Sequence, residues 1–97
     1  MAERKIVWTK NAIKNRTDIF DYWNNRNKSK IFSKKLYKEF SEAVNLLKYN
    51  PEIGIISDYN FRHLLIRNYL IFYEIKTTEI VILKIWDGNR NPENLKF

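Results

Sequence analysis

The fold is decided by one stretch, "NFRHLLIRNYLIFYEIKTTEIVILKIWD", Asn60 to Asp87. Within it "YLIFYEI" puts Tyr69, Ile71, Tyr73 and Ile75 on one side and Leu70, Phe72 and Glu74 on the other. That period of two belongs to a half-buried strand. "NFRHLLI" before it reads as a strand as well. Arg67-Asn68 between them is a two-residue turn, Asn tolerating positive φ. "KTTE" makes a second hairpin loop. "IVILKIWD" is a third strand, apolar on both faces for four residues, which places it inside the sheet. Three strands joined this closely form an antiparallel meander with one apolar face to cover.

The cover comes from upstream. "RKIVWT" puts Ile6 and Trp8 on one side and Lys5, Val7 and Thr9 on the other, a short strand over Glu3–Trp8. Thr9 is then a helix N-cap, its hydroxyl able to accept from a first-turn N–H. From Lys10 the period becomes helical, with Ala12, Ile13, Ile19, Phe20 and Trp23 on one stripe, and the signal ends in the polar "NNRNKS". A second helix, from about Ser29 to Tyr49, carries Phe32, Leu36, Phe40, Ala43, Val44 and Leu47 at steps of three and four. Pro51 ends it and disfavours helical geometry at Asn50. The expected fold is a two-layer α+β domain over residues 1–97, of order β-α-α-β-β-β, with a helical hairpin packed on an antiparallel sheet.

Composition bounds the function. The 97 residues carry a net charge of +7, with no Cys and one His. Residues 1–50 hold 12 of the 18 Lys and Arg but 5 of the 11 Asp and Glu, so the whole excess lies in the first half. A one-sided basic surface suits polyanions or acidic proteins; a Lys-rich face kept for solubility is the plainer alternative. The absence of Cys fits a reducing compartment. The N-terminus is charged within four residues and has no apolar h-region, and the longest apolar runs are too short to span a bilayer. A soluble, cytoplasmic protein without a membrane partner is expected. One His and no carboxylate–His pattern at ligand spacing give no metal site, and no cofactor is expected.

Four segments in order resemble the RelE/ParE superfamily of toxins from type II toxin–antitoxin modules. "IVWTKNA" is similar to the family's opening, and "YNPEIG" to its exit from the second helix. "RHLLIRNYLIFYEI" is similar to its central hairpin, and "ILKIWDGNRNPENL" to its last strand and the polar segment that follows. The resemblance covers nearly the whole chain. It implies a growth-inhibiting protein with a cognate antitoxin, acidic and folding as it binds. The Lys-rich helices, with Lys30, Lys34 and Lys38, are where such a segment is expected to dock.

The resemblance leaves two targets, since the RelE-like branch cleaves mRNA in the ribosomal A site and the ParE-like branch poisons DNA gyrase. Metal-free cleavage needs a base, an acid and cations around the phosphorane. The candidates are Arg62, His63 and Arg90, of which Arg90 alone carries across from the family, as a cation after the last strand. Arg62 and His63 alternate along a strand and face opposite ways. RelE-like nucleases usually place an Arg directly after the Tyr that follows the turn, where this chain has Leu70. They often place a Tyr or His in the last segment, and "NRNPENLKF" has neither. The balance tilts towards a ParE-like inhibitor that binds gyrase, with Arg67, Tyr69, Tyr73, Asp87 and Asn91 as binding candidates. The alternatives are a ribosome-dependent mRNA interferase and a nontoxic, basic nucleic-acid-binding module.

Overall fold

A computed structural model describes residues 3–58 and 61–89. Strand β1 (Lys5–Trp8) leads into α1 (Lys10–Asn27) and α2 (Ile31–Leu46). A 3₁₀ turn over Pro51–Ile53 follows, then β2 (Ile55–Asp58), β3 (Phe61–Ile66), β4 (Tyr69–Ile75) and β5 (Glu79–Asp87). The five strands form one sheet in the order β1-β5-β4-β3-β2.

Local chemistry sets the helix ends. Thr9 is the N-cap of α1, its Oγ1 accepting from Ala12 N at 3.1 Å. Lys28 closes α1 in the left-handed region (φ 53°), with Ser29 N also turned back to Asn24 O. At the end of α2 the bonds from Leu47, Lys48 and Tyr49 reach three residues back, so the last turn tightens before Pro51. The helix is shorter than the expected Ser29–Tyr49 for that reason.

The alternating face of β4 is the core face. Tyr69, Ile71 and Tyr73 are buried with Ile80, Ile82 and Ile85 of β5, against Ala12 of α1 and Leu36, Phe40, Val44 and Leu47 of α2. Ile6, Trp8, Ile19, Phe20, Trp23 and Phe32 pack around this cluster. The two-layer α+β architecture is therefore as expected.

Two features differ from the expectation. The sheet is mixed, because β1 pairs with β5 in parallel, Trp8 opposite Ile82, while the remaining pairs are antiparallel. The helical hairpin supplies the long crossover that a parallel partner requires. A fourth strand, β2, also precedes the meander. Its Ile55 and Ile56 are adjacent rather than alternating, and both are mostly exposed, at 65% and 63%. An edge strand of four residues with both faces open leaves no period in the sequence.

Candidate functional site

A cleft of about 610 Å³ opens where α1 passes over the turn end of β4 and β5. The β3–β4 turn forms one wall. Arg67 takes φ 56° there, as the two-residue turn requires. Its guanidinium grips Glu39 of α2 through two bonds, Nε to Oε1 at 2.8 Å and NH2 to Oε2 at 2.9 Å. This hydrogen-bonded pairing lowers the Glu39 pKa below the ordinary carboxylate value and raises that of Arg67. The same guanidinium lies 5.2 Å from the Phe32 ring centroid.

The helical wall is aromatic. Trp23 meets Phe32 edge-on at 4.8 Å and Tyr22 at 5.1 Å. Arg26 lies over Trp23 at 5.5 Å and donates to the Tyr22 hydroxyl at 3.2 Å. A series Arg26–Trp23–Phe32–Arg67 thus joins both helices to the turn, with a cation at each end. The indole Nε1–H of Trp23 donates to the Tyr69 hydroxyl oxygen at 2.7 Å, which fixes the helix over β4.

The floor is the end of the sheet. Asp87 accepts from Asn68 Nδ2 at 3.2 Å and from Asn89 N at 2.9 Å. Gly88 N donates to Asn68 O at 2.8 Å, and a side chain at 88 would bring its Cβ to 2.8 Å from that same carbonyl. Glycine is needed there for close approach. Asn15 of α1 lines the cleft as well, its Oδ1 accepting from Ile85 N at 3.1 Å.

The fold therefore gathers Arg67, Tyr69 and Asp87 into one cleft and adds Asn15, Tyr22, Trp23, Arg26, Phe32, Asn68 and Asn89. It separates the other candidates. Tyr73 is fully buried in the core, donating to Pro51 O at 2.7 Å and accepting from Gly54 N at 2.9 Å. Burial raises its pKa. Arg62 sits opposite Tyr73 and donates to Gly54 O at 2.9 Å and Glu52 O at 3.2 Å. It is five residues from Arg67 along β3, about 16 Å. His63 lies on the opposite sheet face, beside Phe72, with Nδ1 against Ser57 Oγ. Lys30, Lys34 and Lys38 are exposed along α2, Lys38 within 3.9 Å of Glu42. Arg90 and Asn91 lie outside the described residues.

The family model for the ParE toxin of type II toxin–antitoxin systems, parDE, matches residues 6–92. The chain belongs to the ParE toxin family. A solved structure of the chromosomal ParDE toxin–antitoxin system from P. aeruginosa has a similar fold, at TM-score 0.74 and 23% identity. The match covers 86% of this chain and 94% of that one. No curated protein matches the sequence. Membership of a parDE-type family makes a cognate antitoxin the partner of this ParE-family chain. No helix among the described residues is long and apolar enough to cross a membrane.

Among the described residues the ionisable groups lining the cleft are Arg26, Arg67, Asp18, Asp87, Tyr22 and Tyr69. These can stack, donate and accept. None has an unperturbed pKa near neutrality, where proton transfer is most effective. The cleft of this ParE-family protein is equipped for recognition.

Proposed function

We propose that this ParE-family chain inhibits growth by binding DNA gyrase, and that the cleft around Arg67, Tyr69 and Asp87 is its working surface. The observation that carries the reading is the ParE family model over residues 6–92. Two features support it over RNA cleavage. Leu70 stands where the RelE-like branch usually has an Arg. Of the cations and the His that could serve a phosphorane, Arg62 is committed to backbone carbonyls and His63 lies across the sheet.

The antitoxin, in this reading, is an acidic protein that meets the exposed Lys30, Lys34 and Lys38 stripe. Charge complementarity there speeds encounter more than it tightens the final complex.

The test is a DNA supercoiling assay with purified chain and gyrase, run beside a translation assay with isolated ribosomes. Inhibited supercoiling, relieved by the antitoxin, is the expected result. Unchanged gyrase activity at micromolar toxin, with mRNA cut in the ribosomal A site, would overturn the reading in favour of the interferase.

A further inference from the structure

Strand β5 outruns its parallel neighbour. Pairing with β1 stops at Trp8–Ile82, while β5 continues to Asp87. Over those residues β4 occupies one side, and no strand lies on the other among the described residues. Side chains cap the first part of that edge. Thr9 Oγ1 donates to Leu83 O at 3.1 Å, and Asn15 accepts from Ile85 N.

The register fixes where the rest of the edge points. Asp87 stands opposite Tyr69, and the bond to Asn68 O comes from the next residue, Gly88. In an antiparallel ladder, bonds made by the flanking residues mark the pair itself as the non-bonded kind. The N–H and C=O of Asp87 therefore turn away from β4. Ile85, two residues earlier, has the same sense, as its bond to Asn15 requires. Both residues line the cleft, so the cleft contains a short strand edge, Ile85–Asp87, open to an added chain. An unpaired edge is a template for another strand.

The surroundings indicate what kind of strand fits. Arg26 has no carboxylate partner among the described residues, and Tyr22 and Trp23 offer ring faces beside it. Added strands gain affinity from main-chain bonds and selectivity from side-chain pockets. The cation and rings select an acidic segment with an apolar or aromatic neighbour. We propose that the antitoxin neutralises this toxin by laying an extended acidic segment into the cleft, as a strand along Ile85–Asp87 of β5. This deepens the proposed function, since it places the antitoxin on the surface assigned to the target.

Amide hydrogen exchange tests the strand without gyrase. The whole chain is measured by NMR alone and in complex with the small protein encoded beside it. Gly88 N–H, bonded to Asn68 in the sheet, should exchange slowly in both states. Asp87 N–H should be fast in the free chain and slow by about tenfold or more in the complex, for one new hydrogen bond. Asp87→Pro supplies a second measure, because it removes an outward N–H that the β4 ladder does not use. It should weaken antitoxin binding about tenfold relative to Asp87→Ala. A formed complex with an unprotected Asp87 amide, or an amide already slow in the free chain, overturns the added strand alone. Equal antitoxin affinity for the two variants does the same. Failure of any complex to form removes the antitoxin reading together with the strand.

Discussion

Replacing Tyr73 by Phe deletes one oxygen and with it the link between the sheet core and the loop after α2. The hydroxyl donates to Pro51 O and accepts from the buried Gly54 N. Each such bond contributes about 1 kcal/mol net, and a buried N–H left without a partner adds a penalty of roughly 1–3 kcal/mol. The ring itself stays, so no large cavity opens. A loss of about 2–3 kcal/mol follows, a large share of the roughly 5–15 kcal/mol typical of a domain. For about 100 residues this lowers the melting temperature by roughly 10–20 °C. Urea unfolding followed by tryptophan fluorescence measures it, with the midpoint moving and the slope unchanged. Gyrase inhibition and antitoxin affinity, assayed below the unfolding transition, should match the parent. A variant within about 0.5 kcal/mol of the parent but impaired in binding would refute the structural role and return Tyr73 to the binding set.

The same residue gives a pH signature. Burial holds the Tyr73 pKa above its unfolded value. Its stabilising effect is therefore complete below the unfolded pKa, about 10, and is lost as pH rises through the folded value. The difference between parent and Tyr73→Phe stability should shrink above about pH 10. A constant difference across that range would refute the assignment.

Gly54→Ala should destabilise by about 1–3 kcal/mol, since its Cβ would collide with Tyr73 Oη, lie 2.7 Å from Tyr73 Cε1 and sit 2.9 Å from His63 O; thermal melts decide it, and an unchanged transition would mean that the loop moves freely. The Glu39 carboxylate, followed by carbon-detected NMR, should titrate below its ordinary value and return to it in Arg67→Ala. Because that pKa is lowered by folding, its stabilising effect is present at neutral pH and disappears as pH falls through the lowered value. Charge reversal of Lys30, Lys34 and Lys38 to Glu should slow antitoxin association and flatten its salt dependence, leaving dissociation nearly unchanged. A surface-plasmon measurement in which dissociation alone accelerates would remove the stripe from the encounter surface.

The parts of this molecule legible in its sequence are those governed by a period. Tyr69, Ile71 and Tyr73 alternate, and the structure buries that face; Leu36, Phe40, Val44 and Leu47 step by three and four, and the helix buries that stripe. The site was legible only where turn chemistry marked it. Arg67 and Asn68 make a tight turn, and Asp87 and Gly88 end a strand, so one wall and the floor of the cleft could be named. The aromatic wall could not. Trp23 and Phe32 obey the same helical spacing as core residues, and spacing does not distinguish a ring facing the core centre from one at its margin. What places them at the margin is tertiary: Trp23 donates to Tyr69, 46 residues away, and Phe32 lies under a guanidinium from the far turn. Tyr73 fails in the opposite sense. Its hydroxyl suggested the rim, but its partners are the backbone groups of Pro51 and Gly54, brought in by the loop that precedes the unforeseen strand β2. A polar atom on an apolar stripe is thus ambiguous until its partner is known. In this sheet the same stripe uses one Tyr oxygen at the cleft and another, four residues later, in the core.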